Sequence, residues 1–376
     1  MISDSLRPLT SKNIVTVFKN GEEKFPDVFS TLEKAEKFIH IEYFIIENDH
    51  TCNRLKNILI KKVKEGVKVR VLYDDFGSRN IRKTLVAEMQ AEGVEIYPFF
   101  PIKFPNLANR INYRDHRKII IVDGHTGYLG GINFSDKYDN RFKNEWYWRD
   151  THFKLEGSAV NTMQYLFLTN WNFCCKDQVK LNELHFPRQE PGEKKTLVQI
   201  AGSGPDSLRS TLMYSLLAAL YSANEEICIT TPYFIPNESV NDAIKNAALG
   251  GVKVKLLVPG ISDTYFVKNA AKSYYSELLV AGVEIFQYKK GFVHAKTITI
   301  DKNLSIVGTA NMDIRSFELN FEINAFIYDQ DLAQQLRDHF YQDLKDSETI
   351  VLELWKKRGV CSKIKEAVSR LFSPIL

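Results

Sequence analysis

The chain has 376 residues, 44% of them hydrophobic and 26% charged, which excludes a disordered or fibrous protein and leaves room for two domains of ordinary size. Its net charge of +4 is mild for a dedicated nucleic-acid binder, and no apolar run of about 18 residues announces a spanning helix. The five cysteines, Cys52, Cys174, Cys175, Cys228 and Cys361, are odd in number and lack metal-ligand spacing, which fits a reduced, cytoplasmic-facing compartment.

Met1 to Lys19 has no apolar core of the signal-peptide kind. A strand is expected over Ile14 to Phe18, then a turn at Asn20-Gly21. Val28, Leu32, Ala35 and Phe38 fall at helical spacing over 27–38. Ile39 to Ile46 reads as a buried strand, 52–64 as an amphipathic helix and Val67 to Tyr73 as a strand. A helix near 80–92 leads to the strand Val94 to Tyr97. The second half repeats the order. Leu212, Leu216, Ala219 and Leu220 mark a helix, and Ile227 to Ile235 a strand. Val240, Ala243, Ile244 and Ala247 mark a second helix, and Val252 to Val258 a second strand. Glu65-Gly66-Val67-Lys68-Val69 is echoed by Gly250-Gly251-Val252-Lys253-Val254, and Glu92-Gly93-Val94-Glu95-Ile96 by Ala281-Gly282-Val283-Glu284-Ile285. A period near 180 residues indicates duplicated domains, not a solenoid. The boundary is expected in the polar stretch His185 to Thr196, giving domains 1–188 and 189–376. Strands alternating with helices argue α/β layering in each.

Within 111–138 and 289–316 one pattern recurs. His116, Lys118, Asp123, Gly130 and Asn133 have the same spacing as His294, Lys296, Asp301, Gly308 and Asn311, 178 residues later. Each follows its histidine by 2, 7, 14 and 17 positions. Ile119 to Val122 and Thr297 to Ile300 are β-branched runs suited to buried strands. Residues two apart on a strand share a face, so each copy offers an imidazole beside an ammonium. The glycines let a second strand turn in close, and each Asn adds an amide donor. Brought together, the two sets suit a phosphodiester: Lys118, Lys296, Asn133 and Asn311 hold its oxygens, one imidazole attacks phosphorus and the other protonates the leaving oxygen.

This tandem HxK(x)4D(x)6G(x)2N pattern resembles the HKD motifs of the phospholipase D superfamily. The stretches Asn112 to Lys118, Trp148 to His152, Ser203 to Ser207, Thr231 to Pro236 and Gly308 to Glu322 look very like bacterial cardiolipin synthases. The resemblance implies two α/β sandwich domains about a pseudo-two-fold axis, with the motifs meeting between them. It implies a catalytic set of His116, Lys118, Asp123, His294, Lys296 and Asp301, with the aspartates holding structure more than doing chemistry. His116 is expected as nucleophile, His294 as acid and base, their pKa values pushed apart. Asp150 and Glu322, which start the strands after each motif, are expected to orient the active histidines, because an imidazole needs a partner on its other nitrogen. The remaining histidines read as structural.

The implied reaction joins two phosphatidylglycerol molecules into cardiolipin and glycerol through a phosphatidyl-histidine. No metal and no cofactor is implied. The implied partners are that phospholipid and an anionic membrane surface, at the cytoplasmic face of a bacterial membrane. Family members usually begin with two spanning helices. This chain shows none, so it is either a short form or one cut at its N-terminus, and peripheral attachment is expected. Three rivals remain: a hydrolytic phospholipase D, a nuclease of the superfamily and a non-catalytic lipid-binding scaffold. Two segments are candidates for lipid contact. Tyr97 to Pro105 either dips its aromatics into the interface or packs on its own domain. The basic, amphipathic 354–376 either lies on anionic lipid or docks on the second domain.

Overall fold

The computed structural model describes residues 8–101, 112–175, 177–187, 196–261 and 264–373. The expected domain boundary at 188/189 and residues 102–105 of the Tyr97 to Pro105 segment lie outside them. In the first half the order is β1 (Leu9–Lys19), α1 (Asn20–Glu33), β2 (Phe38–Tyr43), α2 (His50–Lys64), β3 (Lys68–Asp74), α3 (Leu85–Ala91), β4 (Glu95–Phe99), β5 (Lys118–Val122), β6 (Thr126–Gly130), β7 (Thr151–Gly157) and α4 (Val160–Cys174). The second half repeats it as β8 (Thr196–Ser203), α5 (Thr211–Tyr221), β9 (Glu226–Thr230), α6 (Glu238–Leu249), β10 (Lys253–Pro259), α7 (Tyr265–Val280), β11 (Glu284–Tyr288), β12 (Thr297–Ile300), β13 (Leu304–Gly308), β14 (Asn320–Tyr328) and α8 (Gln330–Lys345). A short strand, β15 (Ser347–Thr349), and a final helix, α9 (Val360–Leu371), follow.

The halves do not merely abut. One sheet runs through both, in the order β15-β11-β10-β9-β12-β13-β14-β8-β1-β7-β6-β5-β2-β3-β4. Its seam is the antiparallel pair β1 and β8, with Leu9 opposite Gln199 and Asn13 opposite Thr196. Outward from the seam the strands mirror one another, which is the expected duplication written in topology. Each half has its own apolar core beneath its helices, Ile41, Leu59 and Ile120 in one, Ile229, Ile244 and Ile298 in the other. A third core belongs to both: Phe167 and Trp171 of α4 join Ile121, Phe153, Ile200, Ile323 and Leu336. The two expected α/β sandwich units are present, and they share one sheet and one core.

Local chemistry explains most elements. Asp49 and Asn237 cap α2 and α6 by accepting from the amides of Cys52 (3.0 Å) and Val240 (3.1 Å). Gly66 and Gly251, at φ of 91° and 94°, turn the chain out of those helices. Other expectations shift. Phe38 starts β2 rather than ending a helix, and the strand from Ile227 stops at Thr230 before Pro232. The helix near 80–92 shrinks to seven residues after a 3-10 turn. Asn20-Gly21 is not a separate turn, because β1 runs straight into α1. Asn20 makes that corner at φ 68°, donating its amide to the Asp150 carbonyl and accepting from the Asp150 amide, both at 3.0 Å. Asparagine tolerates this left-handed backbone better than most residues.

Candidate active site

Each motif folds as a hairpin, β5 to β6 and β12 to β13. The β-branched runs bury the first strand and the glycines admit the neighbouring strand. A Cβ at Gly130 would lie 2.6 Å from the His152 backbone, and one at Gly308 would lie 2.4 Å from the Ile323 carbonyl. The histidine precedes the hairpin and leans on the opposite half. The His116 amide donates to the Phe321 carbonyl at 3.0 Å, and the His294 amide to the Arg149 carbonyl at 2.7 Å. Short parallel pairings reinforce both contacts, Arg114-Asp115 with Asn320-Phe321, and Tyr147 to Arg149 with Gly291 to Val293.

The carboxylates are therefore wired crosswise. Nδ1 of His116 meets Glu322 at 2.9 and 3.0 Å, and Nδ1 of His294 meets Asp150 at 2.7 Å. A carboxylate can only accept, so Nδ1 carries the proton and each Nε2 is left as the reactive nitrogen. Lys118 donates to the His116 carbonyl at 2.6 Å and Lys296 to the His294 carbonyl at 2.7 Å. Lys296 also reaches Nε2 of His294 at 3.1 Å. Among the described residues nothing makes that contact to Nε2 of His116. The two sites share one field: the charge of Lys296 acts on His116, and that of Lys118 on His294.

Burial dominates the titration. It brings His116 down to about 4 against the upward pull of Glu322. Burial and the charge of Lys296 bring His294 down to about 3, outweighing Asp150. Both imidazoles are neutral at pH 7 in the substrate-free protein. Burial, helped by repulsion from Lys296, brings Lys118 to about 7. Burial works to raise Glu322, but the His116 pairing and its hydrogen bonds win and hold it below its usual range. Thr309 and Ser316 donate to its oxygens at 2.5 and 2.8 Å.

A cavity of about 240 Å³ adjoins the first motif, lined by Phe99, Phe100, Tyr113, Phe173 and Phe321 among others. Its walls come from both halves.

A family model described as cardiolipin synthase, phospholipase D-like domain, matches residues 28–150 and again 216–344. The chain belongs to the cardiolipin synthase family. A cardiolipin synthase of Oceanobacillus iheyensis is 45% identical over 98% of this chain and 76% of the relative. Cardiolipin synthase 2 of Bacillus anthracis is 44% identical over 95% and 70%, and the probable cardiolipin synthase YwiE of Bacillus subtilis 41% over 98% and 73%. The crystal structure of phosphatidylserine synthase from Haemophilus influenzae superposes with a TM-score of 0.73 at 15% identity, covering 98% of this chain and 97% of that one. That likeness speaks to the fold, and it agrees with the expected pair of phospholipase D-like α/β units.

The family's two matched segments each contain one motif, and the structure gathers His116, Lys118, Glu322, His294, Lys296 and Asp150 into one cluster. It leaves others of the expected set outside. Asp123 accepts from the amides of Glu36, Lys37 and Phe38 at 2.7 to 2.8 Å. Asp301 accepts likewise from Asn224, Glu225 and Glu226 at 2.8 to 3.1 Å. Though grouped with the catalytic set, each clamps the preceding helix-to-strand corner, the structural role expected of it above. Asn133 uses its amide inside the protein, accepting from Ile45 N at 3.2 Å and donating to Tyr138 at 3.1 Å. It braces the loop with its carbonyl oxygen and one of its two amide hydrogens. Asn311 lines a small cavity together with Lys296. Of the two alternatives for Tyr97 to Pro105, the described part takes the packed one at its phenylalanines: Phe99 is buried, and Phe99 and Phe100 turn inward onto Phe173 and Phe321.

The sequence reading missed several residues around the cluster. Glu42 and Asp115 are buried beside Arg117, and burial raises both carboxyls. Arg117 donates to the carbonyls of Glu322 and Ser203, both at 3.3 Å, tying the halves together. Lys24 lies fully buried in a box of Phe25, Tyr43 and Phe134 and donates to Tyr43 at 3.0 Å and to the Ile132 carbonyl at 3.1 Å. Burial holds its ammonium well below the usual lysine range. Thr309 and Ser316 were within reach of sequence reasoning, since both lie in the stretch Gly308 to Glu322. Lys24 gave no signal, because a lysine near a helix start normally faces water.

Proposed function

We propose that this chain is a cardiolipin synthase-like phosphatidyltransferase, built from domains 1–188 and 189–376, that takes phosphatidylglycerol as donor and acceptor. The observation that carries the reading is the crosswise pair of dyads, His116 with Glu322 and His294 with Asp150, in a chain of this family. Nε2 of His116, its lone pair free, attacks phosphorus and the bond to glycerol breaks. His294, which takes up a proton from solvent at Nε2 when the anionic phosphodiester binds, gives that proton to the departing alkoxide, and glycerol leaves as the neutral alcohol. The anionic phosphodiester raises the pKa of the imidazole it lies against, and Lys296 stands at donor distance from the same nitrogen. His294 then takes the proton from the hydroxyl of a second phosphatidylglycerol. That oxygen attacks phosphorus, the P–N bond breaks and cardiolipin leaves. Lys118, Lys296 and Asn311 stabilise the charge that builds on the phosphate oxygens. Glu322 and Asp150 hold the imidazoles in the reactive tautomer. The aromatic cavity lined by Phe100, Tyr113 and Phe321, the last of which bonds the His116 amide through its carbonyl, suits the apolar part of a lipid.

The working surface in this reading is an anionic membrane at its cytoplasmic face. The five cysteines are unpaired, as a reduced compartment requires. The test is mass spectrometry of lipids formed when the purified protein meets phosphatidylglycerol vesicles. Cardiolipin with one glycerol released per molecule is expected, and each of His116→Ala and His294→Ala lowers the rate by at least ~10²–10⁴-fold. Phosphatidic acid as the main product would make the chain a hydrolase. Wild-type rates in both variants would overturn the chemistry.

A further inference from the structure

The last helix is docked the wrong way round for a soluble protein. α9 packs on α7. At 100° per residue its apolar side chains Val360, Ile364, Val368 and Leu371 fall on one face. An ordinary surface helix turns that face to the core. Here Glu366 and Ser369 are buried, while Val360, Ile364, Val368 and Leu371 are 70%, 56%, 47% and 79% exposed. The inward polar face is satisfied: Glu366, the helix's one acidic residue, pairs with Arg358, and Arg370 reaches Glu277 at 3.3 Å and stacks on Tyr274. The outward stripe continues into Phe372, Phe266 and Tyr265, whose rings touch in series and are all exposed. Lys363 and Lys365 stand on either side of it, and Lys356 and Lys357 precede it, all exposed.

We propose that this face of α9 is a membrane-docking surface, which seats its apolar stripe among the acyl chains of an anionic bilayer with the lysines on the headgroups. Contiguous exposed apolar surface rimmed by charge marks an interaction site. An apolar stripe flanked by lysines is the pattern of a helix lying in the interface plane. A second copy of the chain fits less well, because a two-fold pairing of the same stripe would set like-charged rims against each other. Both earlier expectations for 354–376 are then met at once: the helix docks on the second half through its polar face and on lipid through the other. The proposal rests on the lipid-directed reading above but not on the transfer mechanism.

The test is flotation of the full chain with phosphatidylglycerol vesicles and with phosphatidylcholine vesicles. Wild type is expected to float with phosphatidylglycerol, at least tenfold less with phosphatidylcholine, and less as salt rises. Ile364→Asp/Val368→Asp is expected to lose at least tenfold of the bound fraction. Lys363→Glu/Lys365→Glu is expected to remove the preference for the anionic lipid. All four side chains are exposed, so folding should be unaltered, with circular dichroism as the check. Turnover on detergent-dispersed phosphatidylglycerol should be unchanged in both variants, while turnover on vesicles falls. Loss of turnover in detergent by wild type itself would count against the transfer reaction and leave the docking result standing. The proposal is overturned if the aspartate variant floats like wild type. It is also overturned if light scattering shows a wild-type dimer that this variant converts to monomer.

Discussion

Two neutral imidazoles stand in a cluster that also holds two lysines and two carboxylates, and their state sets the pH behaviour. His116 must be unprotonated to attack, and its pKa is lowered to about 4. Activity should therefore fall as pH drops through about 4 and not near the usual histidine value of about 6.5. Lys118 acts as a cation, and its pKa is lowered to about 7, so activity should fall again as pH rises through that value. The pH profile of kcat/KM, which reports the free enzyme, is expected to show both limbs. Lys118→Arg keeps its charge at any working pH and should erase the alkaline limb while lowering the maximum. An unmoved alkaline limb in that variant would assign it to another group. The buried neighbours explain why the two motifs are not equivalent. Glu42, Asp115 and Arg117 lie buried behind the first, and Lys24 lies buried in α1 of the same half. None of this could be read from the chain, because composition rules place charged side chains outside.

At the level of elements, the motif aspartates belong to the hairpins. Each sits at φ 53° after its buried strand and collects three backbone amides. Asp123→Ala and Asp301→Ala should each lower stability by about 1–3 kcal/mol, the loss of charge-assisted hydrogen bonds to backbone amides, and leave kcat within a few-fold of wild type. Denaturant melts beside steady-state rates check this; unchanged melts with collapsed kcat would return the aspartates to the chemistry. The strands were legible because their β-branched runs are buried on both faces, and the helices because Gly66, Gly93, Gly251 and Gly282 close them at positive φ. The start of α1 was not. Asn20 adopts its corner conformation only because Asp150, far along the chain, holds both its backbone and its side chain. Local spacing cannot report a contact of that kind. The inversion of α9 was hidden for the same reason: its amphipathic pattern was plain, but which face met the protein depended on Tyr274 and Glu277 of another helix.

For the whole molecule, duplication was visible in the sequence, but the wiring across it was not. The acid that follows each histidine in the chain serves the histidine of the other half. Neither half is complete without its partner, and the shared sheet and core keep them in register. Coupling should follow the wiring and not the chain. Glu322→Gln should add little to the loss already caused by His116→Ala, although the two residues lie in different halves, as residues of one hydrogen-bonded unit are expected to do. Fully additive losses in that double-mutant cycle would contradict the crosswise dyad. In the proposed reaction a single phosphorus atom is attacked by one half while the other half handles the proton. Quenching the wild-type protein in alkali during turnover of phosphatidylglycerol, and mapping the modified peptide by mass spectrometry, examines this directly. A phosphatidyl group on Nε2 of His116, absent in His116→Ala, is the predicted result; an adduct on any residue outside the two dyads, or undiminished cardiolipin formation by His116→Ala, would contradict it.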